Sequence, residues 1–294
     1  MKKLTFIKKA AIKKLILLGI AVLITSVYTS SFAQETEETP DYPVRNPFET
    51  GTLIDNQTPL TPYKGMIEFQ IYHRFGTVKN GISDLYGIYA PSNIRLGLNY
   101  GVTDKIMVGI GTTKDYKLQD IQWKYNFLQQ TRSGKVPVFL TYYGNMVIDA
   151  RADENFGPTD NYRFIHRISY FSQLILARKF NDIFTFQIAP ECVYYNAVDP
   201  GMKNFNAGLS LGGRAKVLPS TSIIVEYDQP FTSTDVNNPK PNLGFGVEIG
   251  TGTHAFQIFM ANYSQIINQR NLVYNTNDFT DGDLALGFNI TVRF

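Results

Sequence analysis

From Lys64 to its last residue, the chain alternates between apolar and polar side chains. A period of two is typical of a β-strand that has one apolar face. The alternation is clearest in the final segment, where the apolar positions are Leu284, Leu286, Phe288, Ile290, Val292 and Phe294. Segments 67–74, 93–100 and 120–127 repeat it. Eight further strands are predicted near 106–112, 136–148, 167–179, 183–195, 204–215, 222–228, 242–251 and 255–263.

The links between these strands alternate in length, which favours a membrane barrel over a soluble β-sandwich. The short links are 101–105, 129–135, 180–182, 217–221 and 251–254. The mostly longer links that alternate with them are 76–91, 113–118, 149–166, 196–203, 229–241 and 264–282. Outer-membrane barrels have short periplasmic turns and longer external loops, whereas a sandwich does not require this alternation.

Strand length supports the same choice. Several predicted strands have about 9–12 residues, the length that a tilted strand needs to cross a bilayer. Because hydrocarbon offers no water to backbone N–H and C=O groups, strands cross it only in a closed sheet. The sequence therefore predicts an all-β fold over residues 64–294. We expect a transmembrane antiparallel up-and-down β-barrel of about twelve strands in the outer membrane, with both termini periplasmic.

Residues 1–33 have the three regions of a cleaved secretory signal peptide. Six lysines lie near the start, an apolar run extends over 15–24, and Ser31-Phe32-Ala33 supplies small residues for cleavage. An uncleaved membrane anchor is the weaker interpretation, because a spanning helix needs about 18 or more apolar residues. Without these lysines, the formal charge of +3 becomes −3, so the mature chain gives no indication of a nucleic-acid partner.

Composition limits the remaining classes of protein. Charged residues make up 18% and aromatic residues 14% of the chain, which excludes a disordered protein. The single cysteine excludes a disulfide-stapled scaffold and a thiolate zinc site. Residues 34–63 are rich in proline and glutamate, so regular structure is not expected there. This periplasmic N-terminal segment is either a free tail or a plug for the barrel, because Val44, Phe48 and Leu53-Ile54 could dock.

Several short motifs stand out along the first part of the predicted barrel: His73-Arg74-Phe75-Gly76, residues 65–69, 93–98, 100–104 and 108–111, and Lys124-Tyr125. Together they resemble a Bacteroidota outer-membrane β-barrel family of unknown function. The resemblance implies an outer-membrane location, and it assigns no functional residue because the family has no established activity. The last strand also resembles the C-terminal signal that the barrel-assembly machinery reads, with matching residues Phe288, Ile290, Val292 and Phe294.

Residues suited to catalysis or metal binding are scarce. The three histidines, His73, His166 and His254, have no histidine or cysteine partner at close spacing. No Gly-x-Ser-x-Gly motif is present. The sequence therefore predicts no catalytic residue, metal site or cofactor. An outer-membrane lipid-modifying enzyme is a third hypothesis. It would pair His166 with an acidic or hydroxyl residue at the rim, and the acidic candidates are Asp149, Asp153 and Asp160.

The inward face of the predicted barrel carries charges of both signs. The candidates to line the lumen are Glu68, Arg74, Arg95, Asp120, Lys124, Glu191, Arg214, Glu226, Glu248 and Arg293. A strongly selective pore would carry a ring of one sign, whereas this mixture fits either a narrow solute path or a filled, salt-bridged interior.

The first functional hypothesis is therefore a narrow channel or transport-associated protein for small solutes. The alternative is a structural barrel whose loops 149–166 and 264–282 bind a protein partner. Outer-membrane lipid is an expected partner in either case, as is the barrel-assembly machinery during biogenesis.

Overall fold

The computed structural model describes residues 41–157 and 159–294, so the predicted signal peptide lies outside the described residues. Within them, twelve strands form one closed antiparallel barrel. The strands are β1 Ile67–Thr77, β2 Asn93–Thr103, β3 Ile106–Thr113, β4 Leu118–Leu128, β5 Phe139–Asp149, β6 Ile168–Lys179, β7 Phe184–Tyr195, β8 Phe205–Leu218, β9 Thr221–Pro230, β10 Asn242–Thr251, β11 His254–Ala261 and β12 Ala285–Arg293.

Each strand pairs with its neighbours in sequence, and β1 pairs with β12 to close the sheet. The prediction of a twelve-stranded up-and-down barrel is therefore confirmed. Closure leaves no free edge among the described strands, so the ladder of backbone hydrogen bonds runs around the whole wall. None of the helices in the described part of the chain is long and apolar enough to span a membrane.

The two sides of the wall differ in polarity, as the period of two requires. On β4, Asp120, Gln122 and Lys124 point inward and are buried, whereas Ile121 and Trp123 point outward and are exposed. The outer surface stays apolar around the barrel: Ile110 on β3 and Ile258 on β11 are 59% and 64% exposed. An outer wall of this kind suits hydrocarbon, because its polar backbone groups are already paired.

The two ends of the barrel differ in the length of their links. One end, the turn end, has the links 104–105, 129–138, 180–183, 219–220 and 252–253. The other end, the loop end, has the links 78–92, 114–117, 150–167, 196–204, 231–241 and 262–284. The start of β1 and the end of β12 lie at the turn end.

Residues 48–60, the N-terminal hairpin, lie inside the barrel. The preceding residues are attached at the turn end, where Pro43 forms a bridge with Thr131. The hairpin then runs toward the middle of the lumen and turns at 53–56, where the Leu53 N–H donates to the Asn56 carbonyl over 2.7 Å. The chain returns to the turn end, where Thr61 donates to the Asp104 carbonyl.

A second insertion comes from the opposite end. The link between β11 and β12 contains helix α1, Asn268–Tyr274, and five of its seven residues are buried. The Asn268 and Asn271 side-chain amides both donate to the Asp55 carboxylate at the tip of the N-terminal hairpin, over 3.2 and 2.8 Å. The hairpin and α1 therefore meet inside the barrel and fill its lumen from both ends.

Candidate functional site

All ten candidate lumen residues point into the barrel. Nine are buried, with exposures of 8% or less, and the side chain of the tenth, Arg293, is 17% exposed. Some pair with each other: Arg293 with Glu68 on the neighbouring strand over 3.3 Å, and, across one intervening strand, Arg95 with Asp120 over 2.6 Å and Arg214 with Glu248 over 3.2 Å. These pairs neutralise each other within the wall, so they do not form a ring of one sign.

Glu226 on β9 binds the tip of the N-terminal hairpin. Its carboxylate accepts three consecutive backbone N–H groups, those of Ile54, Asp55 and Asn56, each over 3.1 Å. Successive N–H groups that converge in this way form a site for an anion, and here the anion belongs to the barrel wall. Glu226 is only 1% exposed, so the N–H groups take the place of water around its charge.

Lys124 on β4 binds backbone carbonyls of the hairpin, whereas Glu226 binds backbone N–H groups. Its ammonium donates to the carbonyls of Gly51, Thr58 and Leu60, each over 2.9 Å. A lysine ammonium has three donors, so the hairpin uses all of them. Because Gly51 lies on the outgoing arm and the other two lie on the returning arm, one side chain holds both arms together.

Arg74 on β1 binds the same tip from the other side of the lumen. Its Nη2 donates to the Ile54 carbonyl over 3.1 Å, and its Nη1 donates to Asn289 on β12 over 2.8 Å. The guanidinium also lies 4.5 Å from the ring centroid of Phe259, a cation–π distance. Glu191 has a more indirect part, because it accepts from Gln173, which also donates to Asn56.

The sequence did not reveal the apolar part of the inward face. One buried cluster joins hairpin residues Phe48, Leu53 and Ile54 to wall residues on several strands, among them Phe139, Tyr143, Phe171, Ile175, Val193, Ile224 and Phe259. The lumen is therefore less polar than the sequence predicts. The alternation on β6 indicates this apolar part, because Phe171 and Ile175 lie on the same face of the strand as Gln173.

Of the rim residues of the lipid-modifying hypothesis, which lie at the loop end, Asp149, Asp153 and His166 are engaged elsewhere, and Asp160 is exposed. Asp149 pairs with Arg151 over 2.6 Å, and Asp153 pairs with Arg167. The His166 Nδ1 accepts from the backbone N–H of Arg163 over 3.3 Å. Among the described residues, no cluster of three or more histidine, cysteine or acidic side chains could hold a metal ion.

The model of a membrane-bound β-barrel domain family, DUF5777, matches residues 48–294. The chain belongs to that family. The matched range contains all twelve strands and also the N-terminal hairpin, so the DUF5777 domain includes the segment that fills the lumen. The Bacteroidota assignment made from the short motifs stays a prediction.

Several solved barrels resemble this DUF5777 chain in fold. The NanC porin is 9% identical, with a TM-score of 0.48 over 78% of this chain and 98% of the porin. The KdgM porin is 8% identical, with a TM-score of 0.45 over 78% and 98%. Outer membrane phospholipase A from Escherichia coli is 13% identical, with a TM-score of 0.44 over 82% and 97%. No curated protein matches the sequence.

The residues of the proposed assembly signal lie at the end of the DUF5777 barrel. Phe288, Ile290 and Val292 take the outward positions of β12, and their partners on β1 are His73, Ile71 and Phe69. Phe294 follows the strand at the turn end and is 75% exposed. Their recognition by the barrel-assembly machinery stays a prediction.

Proposed function

We propose that this DUF5777 barrel is a transport-associated protein of the outer membrane that is closed in the described structure. A small polar solute would pass when the N-terminal hairpin leaves the lumen. In the orientation that we propose, the turn end and both termini face the periplasm. The hairpin then enters the barrel from the periplasm, and α1 enters from outside. The observation that carries the proposal is the way the hairpin is bound: charged wall residues hold its backbone.

The nature of these contacts supports a removable plug. Glu226, Lys124 and Arg74 bind N–H and C=O groups that water can replace. Leaving a charged group buried without a partner costs several kcal/mol, about 3–5 when one member of a pair is removed. If the hairpin moves out and water moves in, these charges stay solvated and that cost is avoided. A lumen filled only by apolar packing would not have this alternative.

A structural barrel is the second candidate, and the filled lumen is the observation that favours it. The hairpin and α1 meet at Asp55, so the path is blocked from both ends. In this case the loops would bind a protein partner, and the insertions would act only as permanent core. The two candidates differ in one measurable property, which is whether loosening the hairpin opens a path for ions.

Single-channel recording in planar bilayers tests the proposal. The full-length wild-type protein should show rare openings, and the variant Glu226→Gln, which loses the charge that binds three N–H groups, should open at least tenfold more often. Glu154→Gln is the matched control, because Glu154 is exposed in a loop. If neither the wild type nor Glu226→Gln conducts, although circular dichroism shows a folded barrel, the transport proposal is wrong and the structural barrel replaces it.

A further inference from the structure

The loop end contains a cavity of about 420 Å³ that the proposed function does not use. Its walls come from the links 114–117, 150–167 and 196–204, and α1 contributes to its floor. Four aromatic residues and three arginines line it: Tyr116, Phe156, Tyr195, Tyr274, Arg151, Arg167 and Arg270. This volume falls in the range of small-molecule sites, about 300–1,000 Å³.

Two of the arginines are in ion pairs, whereas the third contacts only aromatic rings within the described structure. Arg151 is paired with Asp149, and Arg167 is paired with Asp153 and donates to the Asp149 carbonyl over 2.8 Å. The Arg270 side chain makes no hydrogen bond with any described residue, and its Nε is buried. The guanidinium lies 3.5 Å from the Tyr116 ring centroid and 4.6 Å from that of Tyr274.

The two rings hold the Arg270 guanidinium in place but leave its N–H donors free. In a cation–π contact the face of an aromatic ring interacts with the positive charge of the guanidinium. The N–H donors of a guanidinium lie in its own plane, so this contact does not use them. A planar, fixed guanidinium with free donors is suited to the two oxygens of a carboxylate or phosphate.

We propose that this cavity binds a small organic anion. The carboxylate or phosphate of the anion accepts from the Arg270 guanidinium. The carbon skeleton packs against the aromatic rings that line the cavity. The proposal goes beyond the transport function and does not rest on it, because the site is complete whether or not the hairpin ever moves.

Isothermal titration calorimetry on the full-length protein in detergent micelles tests this binding site. The probes are gluconate as a hydroxylated carboxylate, glycerol 3-phosphate as a hydroxylated phosphate, and glucose as a neutral polyol. Gluconate or glycerol 3-phosphate should bind at least tenfold more tightly than glucose, and the tighter of the two identifies the anionic group. Binding of neither anion, or binding no tighter than that of glucose, overturns the proposal.

Two variants locate the binding. Arg270→Gln should weaken binding of the preferred anion at least tenfold, whereas Arg163→Gln, at an exposed loop arginine of the same end, should leave it unchanged. Arg270→Lys keeps the charge but removes the planar fork of donors, so a folded protein with a severalfold weaker affinity is expected. If Arg270→Gln and Arg270→Lys both bind within twofold of the wild type, the anion does not occupy this cavity. Because binding is measured without a bilayer, its failure is distinguishable from a failure to conduct.

Discussion

The binding of the N-terminal hairpin by Lys124 leads to a quantitative prediction for Lys124→Met. Methionine keeps most of the side-chain volume but removes the ammonium and its hydrogen bonds to the Gly51, Thr58 and Leu60 carbonyls. We expect the hairpin to detach from the wall far more often, while the strands keep their pairing. The barrel should therefore stay folded with a loosened insertion.

The magnitude follows from the three contacts. A hydrogen bond to a charged group contributes about 1.5–3 kcal/mol. Relief of the desolvation of the buried ammonium offsets part of the loss, and water can reach the Leu60 carbonyl because that residue is half-buried. We take a net loss of roughly 3 kcal/mol, which corresponds to an increase of about 100-fold in the open population of the hairpin.

Amide hydrogen exchange of the full-length protein, measured by mass spectrometry, reports this population. The Thr58 N–H, which donates to the Gly51 carbonyl over 3.0 Å, and the Leu53 N–H should exchange about 100-fold faster in Lys124→Met. Lys105→Met is the matched control, because Lys105 is exposed in the turn between β2 and β3. Exchange in residues 50–60 within threefold of both the wild type and the control would refute the role given to Lys124.

Three other predictions concern different contacts. Burial, together with the nearby Glu226 carboxylate, raises the pKa of Asp55 from 3.8 to about 7, so the docked hairpin favours the protonated form of this carboxyl group. The protection of the hairpin amides against hydrogen exchange should therefore be greatest below pH 4 and fall as the pH rises through about 7. Asp55→Asn should flatten this profile. Asp120→Asn leaves the Arg95 guanidinium buried without its charged partner, so the free energy of unfolding measured in urea should fall by about 3–5 kcal/mol. An unchanged urea midpoint would contradict a structural role for the pair. Phe171→Ala removes a fully buried ring beside the hairpin, and we expect a loss of about 3–5 kcal/mol in the same assay, whereas a loss below 1 kcal/mol would show that the apolar cluster does not stabilise the barrel.

The strands could be predicted because their signal is local. Each strand has its own alternation, and the length of each link is visible in the sequence. Even the exceptions have local causes: β5 begins at Phe139 rather than near 136, because Pro137 has no N–H for the ladder. The side that each charged residue faces follows from the same alternation, and the structure places all ten candidates inside the barrel.

The contents of the lumen could not be predicted in this way. Glu226 and Ile54 are 172 positions apart, and no period in the sequence connects them. The sequence predicts that loop 264–282 is an external surface for a partner, but α1 within it folds into the barrel. Its polar residues, such as Asn268 and Asn271, are typical of a solvated loop, and only the distant Asp55 gives them buried partners.

The route of the chain around the barrel has a consequence for biogenesis. The N-terminal hairpin is made before any strand, whereas Asn289 and Arg293, which also contact it, belong to the last strand. The hairpin therefore cannot reach its final position until β12 joins β1. Until that moment the inward charges of the nascent wall face water, and afterwards they are sealed around a segment that is made before every strand. Docking of the hairpin would then mark the completion of assembly, and a barrel stalled before its last strand would expose residues 48–60 to proteases.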